Sequence, residues 1–445
     1  MKNILLISAF LFITCGLLAQ TPAKDYVPRS KDILDLMKQK EFGKIALQFD
    51  SSVSNRLDSA KLAGVWDRMV ATAGPLKGVD SISTDHQENY DVVIQHCVFE
   101  KKKIDFKLVY GLNEKIKGIF FLPVDIKVHY EFPPYYKAEE FKEKNVIIEN
   151  GDIKLPGILT LPVKDGNYPV VILIHGSGPN DRDETVGPTK VFKDLAIGLS
   201  AKGVAVLRFD KRTRVAGRKV MEMMRKMTVK EEMVDDVLAA IEMVKKEPGI
   251  DTNQIFLLGH SFGGMLLPRI NSKAKNVKGL IYFAANSRPL EDLYAMQAEY
   301  IIAQDTTINA EKNKNVLDSI RNEAARIKKL TPANAKDTTM ILRLSTAYWL
   351  DLKTYNPVKV ATTQKTPMLF LHGGRDYQVT DQDFNGWKSG LNTKSNVKFK
   401  LYPSLNHFFI TGEGKSTPKE YMQKGNVASE VIDDIGSWIQ TGQLK

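Results

Sequence analysis

The sequence predicts an α/β protein with a mostly parallel sheet covered by helices, preceded by a small α+β unit. Three observations carry this. Beyond about residue 145, short apolar runs at 170–174, 205–209, 255–258, 279–284 and 368–371 alternate with helical stretches. That is the pattern of strands buried on both faces. Before residue 123, helical periodicity comes first and half-buried, alternating strands follow. The length, 445 residues, allows two or three domains at roughly 100–200 residues each.

Composition narrows the class. Hydrophobic residues make up 43% and charged residues 26%, which suits a folded chain rather than a disordered one. Lys+Arg 63 against Asp+Glu 52 gives a net charge of +11. The basic residues are spread along the chain, without a dense block or zinc-finger spacing, so no nucleic-acid partner is expected. No interior apolar stretch reaches the roughly 18 residues of a membrane span.

The first 20 residues read as a secretory signal peptide. Met1-Lys2-Asn3 is a short positive start, residues 4–19 are almost wholly apolar, and Gln20-Thr21-Pro22 breaks the run. Cleavage after Ala19 or Gln20 would export the chain to a periplasmic or extracellular space, with no stable membrane span left. A retained anchor is the alternative. Lipidation at Cys15 would follow Phe12-Ile13-Thr14, a poor acylation signal. Of the 2 cysteines only Cys97 would then remain, so the mature chain holds no internal disulfide. Cys97 falls in a strand-like run and reads as a buried thiol rather than a nucleophile.

Residues 24–123 form the first unit. Ile33, Leu34, Leu36, Met37, Ile45, Ala46 and Phe49 recur at helical spacing, and strands are expected at 91–100, 103–110 and 116–122. Residues 124–144, with Phe132-Pro133-Pro134-Tyr135-Tyr136 and the charged run after it, read as a linker. Residues 145–445 form the second unit. It opens on a hairpin around Asn150-Gly151. Residues 229–246 follow as a helix, with Met233, Val237, Ile241 and Val244 on one stripe. Residues 289–359, rich in Ala, Met, Tyr and Trp, break the alternation and read as a helical insertion capping the sheet's end.

The chemistry lies in the second unit. Gly259-His260-Ser261-Phe262-Gly263 follows a buried strand and precedes a helix. A serine hydroxyl needs a sharp turn, a base and nearby N–H donors to act as nucleophile, and this placement offers the turn and the donors. The base and its acid should follow in the order Asp, then His. Among the 7 histidines only His407 lies after the late strands, in Leu405-Asn406-His407. Asp376 ends the run Leu371-His372-Gly373-Gly374-Arg375-Asp376 and is the natural acid. Asp381 and Asp383 are the runners-up, placed where an acid often only caps a helix. Two backbone N–H groups, those of Ser177 in His175-Gly176-Ser177-Gly178 and of Phe262, would form the oxyanion hole.

From about Asn145 to Lys445 the chain resembles an α/β-hydrolase of the serine aminopeptidase and carboxylesterase type. The elbow 259–263, the loop 175–178, Gly374-Arg375-Asp376 and Asn406-His407 agree in order and spacing. The stretch from His175 to Thr185, with Phe209-Asp210-Lys211-Arg212, resembles a bacterial esterase subgroup that includes a thermophilic carboxylesterase. Its members often carry an N-terminal domain of unknown function, similar in shape to the cone fold of nuclear transport factor two. Residues 30–123 resemble that domain by pattern. The resemblance implies hydrolysis of small-molecule carboxylic esters with short acyl groups, with no cofactor; no His-rich or Cys-rich cluster offers metal-ligand spacing, so no metal is expected.

Other residues stay open between roles. Asn180-Asp181-Arg182-Asp183 either order the oxyanion loop or are solvated. Asp210-Lys211-Arg212 reads as packing and charge pairing. Trp349, Tyr348, Tyr294 and Met296 either line an acyl pocket or pack as core, with Trp349 the sharpest case. A peptidase on the same triad would need carboxylates such as Glu291 and Asp292 to hold a free amine. A third reading is a ligand-binding protein with a vestigial hydrolase half.

Overall fold

The computed structural model describes residues 25–54, 56–87, 90–123, 130–217, 220–304 and 310–445. The signal peptide expected at residues 1–20 lies outside them. No helix among the described residues is long and apolar enough to cross a membrane. The chain divides into two compact units at Lys127 and Val128.

In the first unit, helices Val27–Lys38, Phe42–Ala46, Ser51–Ser54 and Ser59–Ala73 precede four strands. These are β1 (Leu76–Gln87), β2 (Tyr90–Phe99), β3 (Lys103–Gly111) and β4 (Ile116–Pro123), an antiparallel meander. The pleat sends Val93, Gln95, Cys97 and Phe99 of β2 inward, where the apolar three meet Ile33, Met37 and Trp66. Burial pushes the Cys97 thiol up to about 11, which makes it inert. β1 is the strand the periodicity does not reveal. It is an edge strand of mostly polar residues with two register shifts against β2, so its alternation is weak.

The second unit is built on eight strands. They are β5 (Phe141–Asn150), β6 (Ile153–Pro162), β7 (Tyr168–Ile174), β8 (Ala205–Phe209), β9 (Ile250–His260), β10 (Val277–Phe283), β11 (Met368–Gly373) and β12 (Val397–Tyr402). Their order across the sheet is β12-β11-β10-β9-β7-β8-β6-β5. β6 alone runs opposite to the other seven strands. The continuous apolar run of β7 follows from burial on both faces. Val170, Ile172 and Ile174 join one core with helices Asp235–Val244 and Phe262–Asn271, whereas Val171 and Leu173 join the other with helices Val191–Ala201 and Ser429–Thr441. The insertion after β10 contains helices Leu290–Gln304, Ala310–Lys329 and Thr346–Lys353, with a two-residue ladder, Met340–Ile341 against Leu344–Ser345, before the last.

The segment expected to be a linker is partly structure. β5 starts at Phe141, inside it. Tyr135 donates to the Val427 carbonyl at 2.9 Å and Tyr130 to Asp194 Oδ1 at 2.7 Å. Burial pushes the fully buried Asp194 carboxyl up to about 6, and Tyr130, the Val427 N–H and Asn426 hold it from rising further. A chain beginning at Ala138 loses both tyrosines. It is expected to be less stable than one beginning at Val128, by about 1–3 kcal/mol for the bond to the carboxylate alone. Equal urea midpoints for the two would show that residues 128–137 contribute nothing to this unit.

Candidate active site

The carboxyl ends of β7, β9 and β11 and the loop after β12 converge, which is where sites form in sheets of this kind. β9 delivers Ser261 with φ 52° and ψ −119°, a left-handed, strained backbone for a residue with a Cβ. The turn forms because its neighbours have no side chain. A Cβ on Gly259 would lie 2.5 Å from the Gly263 carbonyl, and one on Gly263 would lie 2.5 Å from that of His175. The helix starts at Phe262, so its first N–H groups have no partner within the helix.

The loop after β7 abuts this turn. A Cβ on Gly176 would sit 3.3 Å from the Ser261 Cβ. Lys211 Nζ donates to the Gly176 carbonyl at 3.0 Å, and Asn180 Nδ2 donates to it at 3.3 Å. In a trans peptide the N–H points opposite to the C=O. Holding that carbonyl therefore sets the direction of the Ser177 N–H. Lys211 does more than pack and pair charges. The loop's polar run is ordered too: Arg182 pairs with Asp210 at 2.8 Å, and Asp183 with Arg208 at 2.9 Å and Lys190 at 2.7 Å. His175 is buried, and its pKa is depressed to about 4 by that burial. Its Nε2 meets the Asp181 carbonyl at 3.1 Å.

β11 and the loop after β12 bring Asp376 and His407 together. His407 Nδ1 lies 2.6 Å from Asp376 Oδ2, both buried. The other oxygen, Oδ1, accepts the N–H groups of Gln378 at 2.7 Å and Val379 at 3.0 Å, so the carboxylate cannot swing. A neutral His407 then donates from Nδ1 and has Nε2 free as an acceptor. Asn406 shapes the loop by accepting the N–H groups of Phe408 and Ile410. Among the described residues Ser261 Oγ makes no hydrogen bond to His407 Nε2, a contact that often tightens only on substrate binding. The runners-up lie elsewhere. Asp383 is fully buried against Arg288 at 2.5 Å, and Asp381 is exposed.

A pair that the motifs did not reveal ties these parts together. Glu184 Oε1 accepts the Gly176 N–H at 2.7 Å. Its Oε2 forms a buried ion pair with His260 Nδ1 at 2.9 Å. His260 Nε2 meets the His407 carbonyl at 3.2 Å. Both ring nitrogens face acceptors, which suits the imidazolium. Burial works against the charge on His260, but the Glu184 carboxylate outweighs it and the pKa is raised above 6.5. Burial likewise opposes the charge on Glu184, and the facing His260 holds it below 4.5. The available signal was a charged residue beside a glycine turn, but nothing in the sequence pairs it with His260.

A cavity of about 370 Å³ opens beside Ser177 and Phe262, walled by insertion residues that include Leu290, Tyr294, Leu344 and Tyr348. Trp349 does not line it. It is fully buried in the core, and its indole N–H donates to the Ile341 carbonyl at 2.7 Å. One residue along a helix is about 100° of rotation, so Tyr348 faces the cavity and Trp349 does not. Met296 also lies off the cavity, beside Arg288. Glu291 and Asp292 line a separate depression, where Asp292 pairs with Lys328 at 2.5 Å. The first unit holds a look-alike. Ser83 Oγ, His96 Nε2 and Nδ1, and Asp105 Oδ1 are linked at 3.1 and 2.7 Å, but on regular strands with no tight turn to present the serine.

The sheet order and this site together define an α/β-hydrolase. Residues 169–413 match the family model described as serine aminopeptidase, S33, and the chain belongs to that family. Residues 30–119 match a domain model described only as a protein of unknown function, DUF3887. The chain is 36% identical over 389 residues to Esterase EstD of Thermotoga maritima, covering 87% of this chain and 89% of that one. Among solved structures it is similar to Est1E from Butyrivibrio proteoclasticus, at 20% identity and a TM-score of 0.40, covering 59% of this chain and 90% of that one. It is also similar to the Pyrococcus horikoshii acylaminoacyl peptidase, at 14% identity and a TM-score of 0.44, covering 82% and 49%.

Two predictions follow from this geometry. Trp349→Ala should cost about 3–5 kcal/mol of stability, as a truncated core aromatic does, and leave the acyl-length profile unchanged. A shifted profile in a variant of unaltered stability would return Trp349 to the cavity. Glu184→Gln should destabilise by about 3–5 kcal/mol, because it leaves a buried partner uncompensated. The pair's contribution is full between the ordinary values of 4.5 for Glu184 and 6.5 for His260. It is lost as pH rises through the raised His260 value or falls through the lowered Glu184 value. Urea midpoints across pH should show the deficit largest in that window. A deficit that stays level from about pH 6 to about pH 9 would mean that His260 is not charged in the folded chain.

Proposed function

We propose that this chain is a serine hydrolase that cleaves carboxylic esters of small molecules, with short acyl groups preferred, through an acyl-enzyme on Ser261. The observation that carries the reading is the 2.6 Å bond from His407 to Asp376, which leaves Nε2 free on a loop joined to the Ser261 turn. His407 Nε2 takes the Oγ proton as Oγ bonds to the acyl carbon. The carbonyl π electrons move onto oxygen, which the N–H groups of Ser177 and Phe262 receive. The C–O bond to the alcohol then breaks, and His407 returns the proton to the leaving oxygen. Water repeats the sequence on the acyl-enzyme, releasing the acid and restoring Ser261. The nucleophile, base, acid and oxyanion donors in these steps are all side chains or backbone N–H groups of this chain.

The related Thermotoga maritima protein is an esterase by name, and a cavity of about 370 Å³ suits a short group. Aminopeptidase action would need a free carboxylate for the substrate's amine. Glu291 and Asp292 lie elsewhere, and Glu232, which does line the cavity, is neutralised by Lys211 at 2.9 Å. The ester reading is therefore the better supported. The chain is further proposed to be exported, on the leader pattern of residues 1–20, and the N-terminal sequence of the mature protein tests this.

Ser261→Ala should leave the fold intact and lower kcat by about 10⁴–10⁶, measured on nitrophenyl acetate and butyrate. Asp376→Asn should also be severe, and Asp383→Asn should act on stability instead. A Ser261→Ala variant retaining more than about a tenth of the parent rate would refute this assignment. A fluorophosphonate should label the parent chain at Ser261.

A further inference from the structure

The residue before the acid and the residue before the base are held by one carboxylate. Glu420 opens the short 3₁₀ turn Glu420–Met422 and takes no part in the steps above. Its Oε1 accepts from Asn406 Nδ2 at 2.8 Å and from the Arg375 guanidinium at 3.0 Å. Its Oε2 accepts from the same guanidinium at 2.6 Å. Arg375 precedes Asp376, and Asn406 precedes His407. A two-pronged bond between guanidinium and carboxylate fixes direction as well as distance.

Neither partner is replaceable by a neighbour. Arg375 is buried, and two further N–H groups donate to the carbonyls of Gly414 at 2.6 Å and Glu413 at 2.9 Å. Among the described residues Glu420 is the one carboxylate paired with it. A buried guanidinium without that charge is uncompensated, and its burial is then costly. Asn406 is oriented without ambiguity. Its Oδ1 accepts the N–H groups of Phe408 at 3.0 Å and Ile410 at 3.1 Å, so Nδ2 is the group that meets the carboxylate.

Tyr421, the next residue, reaches the far side of both. Its ring meets that of Phe408, which follows His407, edge to face at 4.6 Å. Its hydroxyl accepts from Gln378 Nε2 at 3.2 Å, and the Gln378 N–H bonds Asp376 Oδ1. Two consecutive residues of one turn thus touch the chain before and after the acid, and before and after the base.

We infer that Glu420 is a positioning residue, which keeps Asp376 and His407 at their 2.6 Å separation by clamping Arg375 and Asn406. This rests on the ester-hydrolase reading and names what holds its acid and base in register. A misplacement of about 1 Å costs on the order of 10²-fold in rate. The acid–base pair serves both formation and breakdown of the acyl-enzyme, so a loosened clamp lowers turnover and leaves KM nearly alone.

The test uses the full chain and nitrophenyl butyrate. Glu420→Gln keeps the size of the side chain but turns one acceptor into a donor facing Arg375. Asp351→Asn is the comparator, because it weakens another part-buried pair, with Arg269 at 2.9 Å, that bonds neither loop. Glu420→Gln should lower kcat by roughly tenfold to a hundredfold and leave KM within about twofold. It should also weaken the far-downfield proton signal of the His407 Nδ1–H. Asp351→Asn should keep kcat, KM and that signal. Should Glu420→Gln fold poorly, Arg375→Lys keeps the charge but loses the fork, and carries the same expectation. Parental kcat in Glu420→Gln overturns this inference alone. So does a fall in kcat with the proton signal intact, or an equal fall in Asp351→Asn, which would mark general loosening. Absence of Ser261-dependent hydrolysis by the parent chain overturns both this inference and the reading beneath it.

Discussion

Three glycines let the ends of β7 and β9 and the helix after β9 pack closely, and the candidate reacting groups take their positions from that contact. Gly259 meets the Gly263 backbone, Gly263 meets the His175 backbone, and Gly264 meets the Ala285 Cβ, in each case with no room for a Cβ on the glycine. This forces Ser261 into its left-handed backbone and sets Gly176 against it. The acid's turn repeats the device: a Cβ on Gly373 would lie 2.4 Å from the Asn406 carbonyl, next to the base. Side chains can hop between rotamers, whereas packed backbone cannot, so the site is set by its least adjustable atoms.

Buried charges form the next layer. Glu184 joins the oxyanion loop to His260, and His260 joins the nucleophile's strand to the carbonyl of the base. Lys211 reaches from the same loop to Glu232 and the cavity wall. The elements that shape the reaction and those that shape the pocket thus share residues. A substitution at Lys211 would disturb both, whereas one at Tyr348 touches the pocket side of the network first.

Ser261 and Asp376 were legible because each follows a buried strand and sits beside glycines, a local pattern that sequence displays directly. His407 was reached by its order in the chain, as the histidine after the late strands, and the structure places it in contact with Asp376. What stayed hidden is non-local. Asp183 and Glu184 are adjacent acids in one charged run, yet the first pairs with Arg208 and the second with His260. Nothing in their order separates them. Tyr348 and Trp349 differ only by a step of helix rotation, which apolar content alone cannot orient. β1 escaped because an edge strand with register shifts carries little alternation. The expected linker was misjudged because proline and charge mark a surface segment, not whether its tyrosines find partners on the body beneath.

His260 and His407 lie 147 residues apart in sequence, and their contact forms only when the sheet's outermost parallel strand and the loop beyond it are in place. The proposed site is therefore complete only after both parts of the sheet have formed. A polypeptide emerging from the ribosome carries Ser261 without the proposed base until His407 has been made, 146 residues later. Contacts of such sequence separation form slowly. During synthesis the serine is an ordinary alcohol, and reactivity arrives only with the completed sheet.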